Sequence, residues 1–472
     1  MNPRTGKGVE TEMTEFDLVL RGKLVREQGV VAGEIGINDG RIAAISEGTS
    51  HYRGGRELDF GDLLVFPGMI DVHVHCLSNP DEGFIETGRS AAAGGITTMA
   101  DMPFDAENPI TDAERFRQKV RKVERDALVD MCLWATIAKT GGTDQIKPLA
   151  AAGAMAFKLS TFESNPYRFP RIPDDEVLKA FDEIRETGLI AAFHAENDEV
   201  ISGMIREYRA AGRTGPRAHH ETRPPLTETA DVLKLLEFAY WKKVKLHIVH
   251  VSHPRTMDWI VHFRRQGVQA SGETCFQYLL LDEGAMDAHG YNAKVNPPLR
   301  SPEAVEGMWD HLLSGNISFI TSDHAVWKRE EKESGKEDIF RAASGMPGLE
   351  LMVPLMFSAA VSTGKISPVR FAGLMARQPA EMFGLAGKGR IAVGYDADFT
   401  VIDPEREWTV DEAALLTSYK SSPFHGVKVK GKVTHTIVRG TVVHDNGRIC
   451  AEPGFGRFVP GKAYGFPSGS AR

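Results

Sequence analysis

Eight short apolar runs alternate with amphipathic stretches through the middle of the chain: LLVFPGMIDVHVH, GITTMADM, DMCLWATI, AMAFKLS, LIAAFHAE, KLHIVHVS, VQASGET and ISFITSDH. Near-continuous apolar runs of this length are the mark of strands buried on both faces. Between most of them lie helical patterns such as TDAERFRQKVRKVERDAL and TETADVLKLLEFAYWKK. In the second, Val232, Leu235, Leu236 and Ala239 recur at i, i+3, i+4 and i+7, one face of a helix. Eight strand–helix units predict an α/β fold, a parallel (β/α)8 TIM-type barrel over 67–385.

The chain has 472 residues, more than a barrel of about 250 residues requires. Its two ends carry the surplus. FDLVLRG, GEIGIND and RIAAISEG near the start, and DADFTVIDP, GKVTHTIVRG and TVVHDNG near the end, read as short strands between Gly, Asn and Asp turns. They are expected to pair into one smaller β-sandwich domain, 14–66 plus 386–455, with the barrel inserted between them. Residues 1–13 read as a flexible leader, and the Gly/Pro/Ser-rich 456–472 as a surface tail. A net charge of −8 argues against nucleic acid or an anionic membrane as the main partner. No apolar run is long enough for a membrane span, and MNPRTGKGVETEMTEFD lacks the apolar stretch of a secretory signal. Cys76, Cys132, Cys275 and Cys450 form no C-x-x-C pair, so a reduced, cytoplasmic setting is expected.

Active sites of such barrels lie at the C-terminal ends of the strands. His73 and His75 end the first run, Lys158 the fourth, His194 the fifth, His250 the sixth and Asp323 the eighth, so all six fall on one rim. Two histidines two apart on a strand share a face and can chelate a divalent ion. Taken singly, each of these residues also has an ordinary reading. An isolated H-x-H is usually a plain strand pair. Lys158 could snorkel, form a Schiff base, or be carbamylated so that it bridges two cations. HIVH offers both His247 and His250, of which His250 is nearer the strand end. Asp323 could ligate metal and take a proton from water, or cap the next segment. His324 could orient a metal ligand from behind or be a loop histidine.

Taken together and in order, FPGMIDVHVH, AAAGGITTMADMP, AFK, HAEN, HVSHP, NPPLR, TSDH, GRIAVGYDADFTVID and KSSPFHGVKVKGKV resemble the amidohydrolase superfamily. The nearest likeness is to its cyclic-amide branch of allantoinases, hydantoinases, dihydropyrimidinases and dihydroorotases. The resemblance implies two divalent metal ions, zinc by default with Mn2+, Co2+ or Fe2+ as alternatives. It implies that His73, His75 and Asp323 hold the more buried ion, that His194 and His250 hold the other, and that N6-carboxylated Lys158 bridges them. It further implies Asp323 as the catalytic proton carrier, a small cyclic ureide or amide as the partner molecule, and a homotetramer.

Departures from the branch narrow the substrate. Dihydroorotases carry an arginine two positions after the H-x-H motif, where this chain has Leu77. Dihydropyrimidinases and D-hydantoinases place a tyrosine five residues after the bridging lysine, where this chain has Glu163, preceded by Phe162. SGMPGLE, with Ser344 and Gly345 as substrate contacts, looks like the allantoinase and L-hydantoinase branch. Asn296, in VNPPLR, matches a substrate-contacting position and is otherwise a turn asparagine. The leading expectation is allantoinase-like ring opening, with L-hydantoinase or dihydropyrimidinase activity as the alternative. A one-metal deaminase using Glu196, or a non-catalytic scaffold, stands further off.

Overall fold

The computed structural model describes residues 15–48, 52–107 and 109–462. The expected leader, 1–13, lies outside them. The chain opens with an antiparallel meander of β1 (Glu15–Arg26), β2 (Gly29–Asn38) and β3 (Arg41–Glu47), and β4 (Arg53–Pro67) then pairs parallel to β1. The first half of β4, RGGRELDFGD, is mostly exposed and polar, so it carries none of the apolar signal that marks a buried strand.

The barrel strands follow in chain order. They are β5 (Met69–Val74), β6 (Ile96–Asp101), β7 (Asp130–Leu133), β8 (Phe157–Ser160), β9 (Ile190–His194), β10 (Lys245–Ile248), β11 (Ala270–Gly272), β12 (Thr274–Cys275) and β13 (Ile320–Thr321). β11 and β12 are two pieces of the seventh strand, separated by Glu273, so the parallel strands make eight staves. Single bridges, Ala135 to Phe157 and Val74 to His324, join the three sheet segments into a closed ring. All eight apolar runs of the middle region contribute a stave. The first run is divided, however: LLVFP ends β4 in the outer sheet and only MIDVHV enters the barrel.

After the barrel, β14 (Phe399–Thr409), β15 (Lys428–Val438), β16 (Thr441–Asp445) and β17 (Arg448–Ile449) return to the outer sheet. Its order is β17-β16-β15-β14-β4-β1-β2-β3, so the two chain ends share one sheet across the β14–β4 pair. Leu18, Leu20, Ile35, Val65, Phe399, Val401 and Ile437 close into the apolar core of this unit. One point departs from the expected surface tail. Residues 457–459 do not trail off as part of a surface tail: Met131 N donates to Arg457 O (2.9 Å) and Val459 N to Met131 O (2.7 Å), while the Phe458 ring packs edge-on against Phe116. An apolar side chain with strand-like backbone partners outweighs the local Gly/Pro bias there.

Where the outer sheet meets the bottom of the barrel, Lys388 is buried among carboxylates. Its Nζ lies 2.6 Å from Asp130, 2.7 Å from Asp398 and 3.0 Å from Asp396, and Arg439 also pairs with Asp130. The three aspartates could by themselves surround a cation, but the Lys388 ammonium already fills that role. Replacing it leaves buried carboxylates without a counter-charge. Lys388→Met is therefore expected to destabilise the chain by about 3–5 kcal/mol, read as a lower urea midpoint.

Candidate metal centre

Asp71 anchors the first stave's end. Its Oδ1 accepts from His73 N (3.0 Å) and its Oδ2 from Ser322 N (3.2 Å), which ties the segment after β13 to β5. The result brings three distant residues together: Asp323 Oδ1 lies 3.2 Å from Nε2 of both His73 and His75. These donor atoms could hold a divalent ion. On the opposite wall, β8 and β9 run in register with Lys158 beside Ala192 and Ser160 beside His194, which sets Lys158 and His194 on one face. His250 follows β10, and its Nε2 lies 2.9 Å from His194 Nδ1. The His73 and His250 rings are 5.3 Å apart, so the two donor groups adjoin. All six rim residues expected from the sequence meet here.

Hydrogen bonding from behind fixes which nitrogen faces inward. His73 Nδ1 sits 2.5 Å from Glu273 Oε1, and His194 Nε2 sits 2.8 Å from Glu196 Oε2. A carboxylate accepts, so the proton is on those nitrogens and the lone pairs are on His73 Nε2 and His194 Nδ1. His73 Nε2 then faces the Asp323 carboxylate as one acceptor facing another. Such an arrangement repels unless a cation or proton lies between, which is the donor chemistry of a metal site. Both Glu273 and Glu196 are fully buried. Burial raises their pKa values, but their hydrogen-bonded neighbours win and hold both well below the usual carboxylate range: the His73 and His247 rings for Glu273, the Arg223 guanidinium and the His194 ring for Glu196.

Electrostatics within the rim fits a positively charged guest. Burial pushes His73 down to about 4, with the Lys158 charge adding to the effect, so the ring is neutral and its lone pair free at pH 7. Asp323 is pushed up by burial but pulled further down by the groups around it, Lys158 among them, which keeps it ionised. Burial lowers Lys158 to about 8 against the pull of Asp323 and Glu273. An amine with that pKa is partly unprotonated, and therefore nucleophilic, near neutral pH. His250 and Asp323 both adopt left-handed backbone, φ 39° and 48°. Positive φ at non-glycine residues concentrates where geometry is dictated by a site.

Three further expectations have mixed outcomes. His247 does point elsewhere: it stacks on Phe319 and bonds Ser271 and Glu273 beneath the rim. The His324 imidazole does not orient a rim ligand. Its Nδ1 accepts from Gly348 N and Leu349 N, and only its backbone carbonyl serves the rim, accepting from His75 N at 2.8 Å. The side chain is drawn instead to the unsatisfied N–H groups at the start of the following helix. Leu77 is half-buried against the core and does not line the cavity, whereas the adjacent Ser78 does.

Above the rim opens a cavity of about 450 Å3, within the range of small-ligand sites. Lys158, His75, His194, His250 and Asp323 form its floor, and Asn296, Ser344 and Gly345 lie in its wall as the sequence suggested. Asn296 Oδ1 is buried without a hydrogen-bond partner among the described residues. Gly345 has φ 139°, and a Cβ there would sit 2.6 Å from Ala325 Cβ and 2.9 Å from Trp327 Nε1. Only glycine fits that turn. Phe104, Phe162, Phe169 and Trp327 complete the wall. Glu163 faces away, paired with Lys139.

Glu273 is one residue that sequence reasoning missed, and Arg223, paired with Glu196, is another. A single glutamate in VQASGET gives no sign of its partners; only barrel closure sets it behind His73. Glu273→Gln keeps the shape and removes the charge that fixes the His73 proton. The expected result is a loss of metal affinity of about 10–100-fold with little change in kcat at saturating metal, checked by competition with a chelator.

Residues 64–443 match the model of the amidohydrolase family. An allantoinase of Rubrobacter xylanophilus is 35% identical over 452 residues, covering 95% of this chain and 98% of that protein. An L-hydantoinase of Paenarthrobacter aurescens is 33% identical, with 95% and 99% covered. Among solved structures, an L-hydantoinase (dihydropyrimidinase) from Arthrobacter aurescens superposes with a TM-score of 0.91 at 33% identity, covering 94% of this chain and all of that one. A D-hydantoinase superposes with a TM-score of 0.88 at 28% identity, covering 95% of this chain and 100% of that one. On its matched span, its full-length relatives and its barrel-plus-sheet architecture, the chain belongs to the amidohydrolase family.

Proposed function

We propose that this enzyme opens a cyclic ureide by hydrolysing a ring amide C–N bond, with allantoin as the foremost substrate and 5-substituted L-hydantoins second. The observation that carries the reading is the convergence of lone pairs from His73, His75 and Asp323 beside those of His194 and His250, with buried Lys158 between. In this reading the six residues hold two divalent cations, zinc by default, and Lys158 acts as its N6-carboxylate. When bound, such a pair acidifies a water molecule and polarises the ring carbonyl.

The chain's own groups do the rest. Asp323, ionised and at the cavity floor, takes the proton of the attacking water and delivers it to the leaving ring nitrogen. Glu273 and Glu196 hold His73 and His194 in the required tautomers. Asn296, whose Oδ1 has no partner among the described residues, offers a hydrogen-bonding group to a planar ring, and Ser344 and Gly345 lie in the same cavity wall. The cyclic-amide relatives of high coverage support the same reaction class. The homotetramer suggested by the family resemblance belongs to the same proposal and is checked by mass in solution. Among the described residues no helix is long and apolar enough to cross a membrane.

The test is turnover of zinc-loaded enzyme on allantoin, 5-substituted hydantoins, dihydrouracil and dihydroorotate. Allantoin is expected to be fastest. Dihydroorotate as the best substrate would overturn the reading.

A further inference from the structure

Three arginines line the cavity: Arg168, Arg223 and Arg341. Arg223 is committed to Glu196 (2.6 Å), and Arg341 lies 3.8 Å from Asp338. The cavity-lining Lys294 donates to the carbonyls of Ile339 and Ala342. Arg168 differs from all of these. Among the described residues its guanidinium forms no ion pair, and its one side-chain hydrogen bond runs from Nη1 to Ser78 O at 3.2 Å. It is half-buried, 6.0 Å from the centroid of Phe104, a ring which itself lies 5.8 Å from His75.

Arg168 is also held in place. Asn165 Oδ1 accepts from its backbone N (2.9 Å), Asn165 and Phe169 pair through their backbones, and Tyr167 Oη donates to Glu107 O. A guanidinium carries five N–H donors in a rigid fork and stays charged at all working pH values. With one donor engaged, the others face a site whose contents must supply oxygen acceptors. A half-buried cation next to a reaction floor selects for such acceptors and gains nothing from a hydrocarbon.

We propose that Arg168 is a specificity-determining residue that binds an oxygen-bearing substituent of the ring, the carbonyl of a ureido group or a carboxylate, and so favours these over hydrocarbon-substituted rings. This rests on the ring-opening reading above and adds to it the chemistry of the exocyclic group. The residue is not placed among the groups that act on the scissile bond, so its loss is felt through the substituent alone.

The experiment compares wild type, Arg168→Gln and Arg168→Lys on four hydantoins that share one ring: unsubstituted hydantoin, allantoin, hydantoin-5-acetate and 5-isobutylhydantoin. Arg168→Gln is expected to raise KM for allantoin and hydantoin-5-acetate about 10- to 100-fold. Hydantoin and the isobutyl compound should stay within about twofold. Arg168→Lys, which keeps charge but loses the fork, should recover hydantoin-5-acetate more than allantoin. The two acceptor substrates thus separate a carboxylate site from a ureido site. Equal losses on all four rings would make Arg168 a mere support of its loop and overturn the proposal, as would no loss on any. A wild type that prefers the isobutyl ring overturns it while leaving ring opening intact. A wild type that opens none of the four overturns the ring-opening reading itself.

Discussion

Lys158→Ala is expected to lower ring hydrolysis by about 10^3-fold or more and to leave the purified protein short of metal. The lysine is the only rim residue whose native charge has the wrong sign for a cation site, and it stands fully inside the fold. In the proposed reading its nitrogen carries a carboxylate, which can join two cations. Alanine removes the amine and leaves a gap beside an open cavity, so the barrel itself should survive. Thermal unfolding close to wild type checks that point. Short carboxylic acids such as acetate or propionate should restore part of the activity by occupying the gap. Full metal content in Lys158→Ala, or no response to any added acid, counts against the bridging role.

Asp323→Asn is the second large effect. The amide keeps the volume and one oxygen, but it cannot carry a proton between water and the leaving nitrogen. General acid–base groups contribute about 10^2–10^4-fold, and a fall in kcat of that size is expected at saturating metal with KM within a few-fold. Burial works against ionisation of Asp323, but the groups around it, the Lys158 charge among them, keep its proton affinity low. Chelator competition on the same variant separates the two functions: weakened metal retention with intact kcat would leave Asp323 a ligand only.

The barrel was legible because strands buried on both faces need unbroken apolar runs, and five of the eight runs ended on the residues that mattered. His73, His75, Lys158, His194, His250 and Asp323 are polar residues closing apolar strands, a placement that only a functional site sustains in number. β4 was half invisible for the opposite reason: RGGRELDFGD lies exposed at an outer sheet and has no apolar period. Glu273 and Arg223 were invisible because their meaning lies in partners on other strands, His73 and Glu196. His324 was misplaced for a related reason. Adjacency to Asp323 in sequence says nothing of side-chain direction, and the positive φ at Asp323 turns the chain between them. The cavity wall of Phe104, Phe169 and Trp327 comes from three separate loops, whose approach no local pattern encodes.

The central claim is a two-cation hydrolase of cyclic ureides. Its most direct test is titration of metal-free protein with zinc while allantoin ring opening is followed in the same samples. Activity is expected to rise until about two zinc ions are bound per chain. Full activity at about one ion per chain, or no ring opening at any loading, would contradict it.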